Sequence, residues 1–111
     1  CYPNLPVKII GTHGGLVGNG GSTHYAVEDL ALMSALTNMT VTSIGDPLMV
    51  GEIIRQSMSM PGPLYIRLAV GKKDMVLYEP GQHDIRIGKG IIAREGTDLT
   101  LFTHGTTVAQ A

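Results

Sequence analysis

Apolar runs alternate with helically spaced segments along the first 70 residues. The runs at 7–10, 39–45 and 63–70 are short and rich in β-branched residues, which predicts buried strands. Between them, 24–36 and 48–60 carry apolar side chains at helical intervals, which predicts two helices. The alternation is typical of an α/β fold, here a partial parallel sheet flanked by helices.

The pattern changes in the last third of the chain. Residues 84–96 alternate around a Gly-Lys-Gly sequence, which predicts a hairpin or bent ribbon. A further strand is predicted over 98–105, with a helix beginning at Thr106. We therefore expect a boundary near residue 80. Residues 1–80 would form one unit, and residues 81–111 a linker ribbon and the first strand of a second α/β domain.

Composition narrows the classes of partner. The net charge of −1 over 111 residues gives no electrostatic basis for binding nucleic acid or an anionic membrane. Charged residues make up 15% of the chain, against about 25% in an ordinary soluble domain. Such a chain has too little polar material to face water on all sides. We expect it to be covered by partners or to be a piece truncated at both ends.

The single cysteine, Cys1, excludes an internal disulfide. This usage fits a reducing compartment, so we expect a cytoplasmic protein.

A glycine-rich loop, GTHGGLVGNGGSTH, occupies residues 11–24. A strand, a glycine turn and a helix start together can bind an anion, with Ser22 or Thr23 as the N-cap. The dinucleotide pattern fails, because Thr23 stands where its third glycine is needed, and the P-loop lysine is absent. Tight turns alone would also explain the glycines.

Two histidines flank this loop. His13 and His24 could face one cleft if the loop doubles back, and a pKa near 6.5 suits an imidazole to proton transfer. Without cysteine or carboxylate at ligand spacing they make a poor zinc site. The alternative for His24 is a hydrogen-bonding role at the helix start.

Two charged residues lie in apolar surroundings. Arg67 is inside a predicted strand and needs a carboxylate partner, for which Glu28 and Asp29 are the candidates. Asp46 precedes Pro47 at a predicted strand end, where we expect it to cap the second helix.

Taken in order, several motifs resemble transketolases and the related deoxyxylulose-phosphate synthases. They are LPVKIIGTHGGLVGNGGSTHYAVEDLALMSALTNMTV, then GD, GPLYIRLAVGK and IGKGIIAREGTDLTLFTHGTTVAQA, and the resemblance extends over nearly the whole chain. The resemblance implies that residues 1–80 are the second half of a pyrimidine-binding domain. Residues 81–111 would then be the link and the start of the C-terminal domain.

The resemblance also implies an activity. The parent enzyme would transfer a two-carbon ketol unit between sugars, using thiamine diphosphate and Mg at a dimer interface. The diphosphate and metal would be held by a separate domain, and the cofactor-activating Glu would lie upstream of residue 1. We therefore expect this chain alone to be inactive. It would need the rest of the enzyme or a companion subunit, and we expect a homo-oligomer.

Site residues follow from the same resemblance. His24 matches a family histidine that reaches cofactor and substrate, and would be catalytic. His13 matches a substrate-contacting position, and Gly14, Gly15 and Leu16 would line the cleft between them. No metal ligand is expected in this chain.

The chain departs from the family pattern at two positions that contact substrate. Gly20 replaces an Asp that contacts a sugar hydroxyl, and Val70 replaces a phosphate-binding Arg. A phosphorylated substrate is therefore left open, with Lys72 or Lys73 as possible replacements for the arginine.

Two other functions are consistent with the sequence. The departures would also suit a non-catalytic, degenerate transketolase-like partner or regulatory subunit. A free-standing anion-binding α/β module, using the helix start at Ser22 and Thr23, is the third hypothesis.

Overall fold

A computed structural model describes residues 1–17, 20–68 and 76–111. Three short strands and two α-helices form the ordered frame. They are β1 (Lys8–Gly11), α1 (Asp29–Ser34), β2 (Thr40–Ser43), α2 (Pro47–Ser57) and β3 (Leu64–Arg67). Two 3₁₀ helices, Ser22–His24 and Gly105–Gln110, complete the elements.

The strands form a parallel sheet in the order β1-β3-β2. Lys8 and Thr40 both align with Leu64, so the central strand is paired on both sides in one register. The path from β1 to β2 and back to β3 reverses direction across the sheet. Because such crossovers are right-handed, α1 and α2 lie on opposite faces. The predicted α/β class and parallel sheet are confirmed.

Alternation along β3 shows which face each helix covers. Leu64 and Ile66 have no exposed surface and pack with Ile44 and with Ile53 of α2 in the core. Successive side chains of a strand point to opposite faces. Tyr65 and Arg67 therefore point to the face of α1, where both contact Asp29.

Asp46 joins α2 to the segment that follows the sheet. Its carboxylate caps the helix by accepting from Leu48 N at 2.7 Å, which confirms the predicted role. The same side chain, 1% exposed, also accepts from the backbone N–H groups of Leu77 and Tyr78. One buried carboxylate thus holds two parts of the chain together.

The ribbon predicted at 84–96 is held by a side chain instead of a partner strand. Ile85 and Ile87 are half-buried against the core, while Asp84 and Arg86 are exposed, as the alternation predicts. The Gln56 amide donates to Ile85 O at 2.6 Å and accepts from Ile87 N at 3.0 Å. Of the two predicted forms, a hairpin or a bent ribbon, the hairpin is wrong, because the amide takes the place of a second strand for this short stretch.

The first helix begins later than predicted. Ser22–His24 form one 3₁₀ turn with Gly21 at its N-cap, and the Thr23 hydroxyl bonds to the His24 ring instead of capping a helix. Tyr25 is extended and Ala26 pairs with the glycine loop. The helix start that the anion-binding hypothesis needs at Ser22 and Thr23 is therefore absent from this described stretch.

The predicted strand over 98–105 is also wrong. The segment carries exposed Leu99, Leu101 and Phe102, and within the described residues no neighbouring strand pairs with it. Without a partner, strand backbone groups stay with water. The helix expected at Thr106 is present as the 3₁₀ helix Gly105–Gln110.

In the described ranges, no helix is long and apolar enough to cross a bilayer.

Candidate substrate and cofactor site

The glycine loop folds back over the carboxyl end of the sheet. After β1 ends at Gly11, Gly14 N donates to Leu68 O at 3.1 Å and Gly15 N donates to Ala26 O at 2.8 Å. These bonds place the segment after β1 beside the segment that leads into α1. In parallel sheets, ligands bind outside the carboxyl ends of the strands, so this edge is the expected site.

The two predicted histidines lie on these neighbouring segments, and both are exposed. Each is preceded by a threonine whose hydroxyl bonds to its ring. Thr12 Oγ1 is 3.2 Å from His13 Nδ1, and Thr23 Oγ1 is 2.9 Å from His24 Nδ1. Because Nδ1 is engaged in both rings, Nε2 is the atom that can face a ligand.

His13 also has an unusual backbone. Its φ of 58° lies in the left-handed region, which few residues other than glycine adopt. Such a conformation costs about 1–3 kcal/mol and tends to occur at functional sites. The loop thus turns sharply at the residue for which a substrate contact is predicted.

The remaining predicted residues differ in exposure. Gly14 is buried and Gly15 is half-buried, whereas Leu16 is 71% exposed beside them. Gly14 and Gly15 therefore form the part of the loop that lies against the sheet. Leu16 offers an apolar surface next to His13.

Gly20 is explained by the position of His24. A Cβ at residue 20 would lie 2.4 Å from His24 Cγ and 2.7 Å from its Nδ1. The imidazole therefore covers the backbone where the family pattern has an acid. Val70, Lys72 and Lys73, which bear on phosphate binding, lie outside the described residues.

Beneath the loop is a buried charge cluster. The Tyr65 hydroxyl donates to Asp29 Oδ2 at 2.8 Å, and Arg67 Nε lies 3.1 Å from the same oxygen. That Nε–H is not aligned for a hydrogen bond, so the contact is an ion pair at short range. Arg67 Nη2 instead donates to Ala26 O at 2.8 Å. Of the two predicted carboxylate partners for Arg67, Asp29 is confirmed.

The pKa of Tyr65 agrees with this arrangement. Burial raises the pKa of the Tyr65 hydroxyl to about 12, and the Asp29 carboxylate beside it adds to the rise. Both effects favour the neutral phenol, which donates to the carboxylate.

Sequence reasoning did not assign a role to Tyr65. The available signal was the alternation in LYIR, where two polar residues share the face opposite two aliphatic ones. The spacing of Gly11 and Gly14 gave a second signal. A Cβ at Gly11 would lie 2.3 Å from the Tyr65 hydroxyl oxygen, and one at Gly14 would lie 2.3 Å from Arg67 Nε. These glycines allow the backbone to lie against two large side chains of β3.

Among the described residues, no three His, Cys, Asp or Glu side chains are grouped to hold a metal ion. That this chain supplies no metal ligand stays a prediction.

Comparison with known proteins identifies relatives across the whole chain. The "Putative transketolase C-terminal section" of Methanocaldococcus jannaschii is 36% identical over 112 residues, covering 100% of this chain and 35% of that protein. The 1-deoxy-D-xylulose-5-phosphate synthase of Dechloromonas aromatica is 34% identical over 108 residues, covering 97% and 18%. A solved structure described as "Split gene transketolase, inactive beta4 tetramer" superposes with a TM-score of 0.72 at 37% identity, covering 99% and 34%.

The chain thus spans about a third of the length, or less, of the relatives it matches. The family described as "Transketolase, pyrimidine binding domain" matches residues 1–72, which include the whole sheet, both α-helices and the glycine loop. The chain therefore belongs to the transketolase family, through its pyrimidine-binding domain.

Proposed function

We propose that this chain is part of an enzyme that transfers a two-carbon ketol unit between sugars. Membership of the transketolase family implies dependence on thiamine diphosphate. The observation that carries the proposal is the paired arrangement of Thr12–His13 and Thr23–His24 on two hydrogen-bonded segments. Both pairs lie at the carboxyl edge of the sheet.

His24 is the proposed proton-transfer residue. Its Nδ1 is held by Thr23, so the exposed ring can present Nε2 to a substrate hydroxyl. An imidazole can both accept and donate a proton, as general acid–base catalysis requires. We expect His13, on the neighbouring segment, to orient the same sugar through a second hydrogen bond.

The surface around the histidines fits the ligands that the family uses. Exposed Leu16 lies three residues after His13, so an apolar side chain and an imidazole are close together in this loop. Gly14 and Gly15 leave the loop without side chains that would block close approach. When bound, thiamine diphosphate supplies the thiazolium ring at which the ketose carbon–carbon bond is cleaved. The accompanying Mg and the diphosphate would be held by another domain.

The proposal includes a partner. β1 is an edge strand whose Ile9 and Ile10 are partly exposed, and Leu32 of α1 is exposed as well. Apolar surface of this kind needs cover from further sheet or from another subunit. The remainder of a transketolase-like enzyme, or a companion subunit, would supply it. Homo-oligomer formation, the cytoplasmic location and the division near residue 80 stay predictions.

The test uses this chain together with the rest of its enzyme, supplied with thiamine diphosphate, Mg, a ketose donor and an aldehyde acceptor. Ketol transfer should be measurable in the assembled protein and absent from the 111-residue chain alone. His24→Asn should reduce kcat by about 10²–10⁴-fold, since Asn can keep the bond to Thr23 but cannot transfer a proton.

His104→Asn is the matched control. His104 Nδ1 bonds to Ser43 Oγ at 3.1 Å, so Asn can preserve this contact in the same way, outside the glycine loop. Activity of the control should stay close to wild type. Equal losses in the two variants, or turnover by the chain alone, would contradict the proposal.

A non-catalytic partner is the second candidate. It is favoured by the substitution at Gly20, where the His24 ring occupies the place of a family acid. It is also favoured by the likeness to a protein described as an inactive tetramer. Under this alternative the assembled protein would bind its partner but show no ketol transfer.

A further inference from the structure

We propose that Arg67, held by Asp29, is a positioning residue that fixes the shape of the glycine loop. The inference rests on the proposed function, because Arg67 would hold the loop of that same site in position. Arg67 touches backbone and Asp29, so its effect on a ligand would pass through the loop.

One backbone carbonyl, that of Ala26, binds both the loop and Arg67. Ala26 O accepts from both Gly15 N and Arg67 Nη2, each at 2.8 Å. The carbonyl thus joins the loop after β1, the segment entering α1 and the end of β3. Gly14 N adds a bond to Leu68 O, next to Arg67 in the chain. Removal of the guanidinium would leave Gly15 bonded to a carbonyl that is no longer fixed to the sheet.

The loop backbone also packs directly against the Arg67 side chain. A Cβ at Gly14 would lie 2.3 Å from Arg67 Nε and 2.6 Å from its Cγ. The loop backbone therefore lies on the length of the side chain. Arg67 sets the height of the loop above the sheet as well as the direction of one hydrogen bond.

The ion pair between Arg67 and Asp29 is largely buried. The Arg67 and Asp29 side chains are 11% and 12% exposed, so both charges are largely removed from water. Within the described residues, Asp29 Oδ1 and Arg67 Nε are buried without hydrogen-bond partners. A buried ion pair with incomplete hydrogen bonding is a weak source of stability compared with apolar side chains. The pair is better explained by the geometry that it imposes on the loop.

Loss of the Arg67 contacts would change the conformation of His13. It directly precedes Gly14, and its backbone is held at a φ of 58°. Strained conformations persist when their surroundings over-determine them. When the Gly14–Gly15 anchor loosens, His13 can relax, and its ring loses its fixed place beside the His24 segment.

The experiment removes both charges together. The double variant Asp29→Asn/Arg67→Met avoids leaving a buried unpaired charge, so its thermal melting should stay near that of wild type. Hydrogen exchange is then followed by mass spectrometry on the assembled protein, for peptides spanning 12–17 and α2. We expect exchange in 12–17 to accelerate about tenfold or more, the loss of roughly one hydrogen bond, with α2 unchanged.

Arg67→Lys is the conservative comparison. Lysine keeps the charge but lacks the planar fork, so we expect the exchange rate in 12–17 to be only partly restored. Lys8→Met is the matched control. Lys8 donates to Met60 O and Gly62 O, a similar cation-to-carbonyl arrangement at the start of β1, the end of the strand opposite the loop. This control should lower melting without changing exchange in 12–17.

Wild-type exchange rates in 12–17 of the folded double variant would overturn the inference. So would equal acceleration in Lys8→Met. Kinetics give a second readout, in which the double variant should raise the donor KM about tenfold and change kcat less. An assembled wild type without ketol transfer would refute the proposed function and leave the exchange result to decide the positioning role.

Discussion

Asp46 is expected to be the most sensitive polar residue outside the site. Substitution with Ala removes an N-cap bond to Leu48 N, worth about 1 kcal/mol. It also removes the acceptor for the N–H groups of Leu77 and Tyr78, each bond to a carboxylate being worth about 1.5 kcal/mol or more. The expected loss is about 4 kcal/mol. That is a large part of the roughly 5–15 kcal/mol available to a domain.

Asp46→Asn separates the two contributions. Asparagine caps helices about as well as aspartate, but it has one acceptor oxygen where Asp46 uses two. The cap should therefore remain while the bonds to Leu77 N and Tyr78 N are lost, for an expected loss of about 3 kcal/mol. Urea denaturation followed by far-UV circular dichroism measures both variants. Asp84→Ala, which removes an exposed ion pair with Arg86, is the control and should change the midpoint little.

The result that would refute this reasoning is a loss of about 1 kcal/mol for Asp46→Ala together with little or no loss for Asp46→Asn. The link to Leu77 and Tyr78 would then contribute nothing, and the residue would be a helix cap alone. Faster hydrogen exchange at those two amides in the Ala variant, but not in the control, would support the link independently.

Three further predictions follow from named contacts. Because the pKa of Tyr65 is raised to about 12, its contribution to stability is complete below about pH 10 and is lost as the pH rises towards 12. Tyr65→Phe should remove that part of the alkaline loss, as measured by thermal melting across pH. Gln56→Ala should release the segment 84–87 and raise its rate of proteolysis, whereas Gln56→Glu, which keeps one acceptor, should do so less. Gly20→Ala should displace the His24 ring, shifting its NMR resonances while those of the other histidines stay in place.

Local sequence signals predicted the frame of the molecule well. Apolar runs located all three strands, because a buried strand needs little beyond a short stretch of β-branched residues. Asp46 before Pro47 located the start of α2, since both residue types are specific to helix starts. The position of Arg67 in a buried strand predicted a carboxylate partner, with Glu28 and Asp29 as candidates, and the structure shows Asp29.

Two of the errors share a cause, which is pairing between distant parts of the chain. Residues 24–28 have helical spacing, but Ala26 pairs with Gly14 and Gly15, so α1 begins only at Asp29. Alternation at 84–87 suggested a hairpin, but Gln56 supplies the hydrogen bonds of the missing strand. Periodicity reports which face of a segment is apolar, and it does not report what the backbone bonds to.

The sequence by itself determined the α/β class, the parallel sheet, the family and the two histidines of interest. Each depends on residue types within one short window or on motifs in a fixed order. The tertiary structure alone decided that the two Thr–His pairs lie on bonded segments and that β3 side chains form the floor of the loop. It also showed that Gly11, Gly14 and Gly20 are fitted to Tyr65, Arg67 and His24. A glycine accommodates whatever passes close to it, and that neighbour is set by three-dimensional packing rather than by position along the chain.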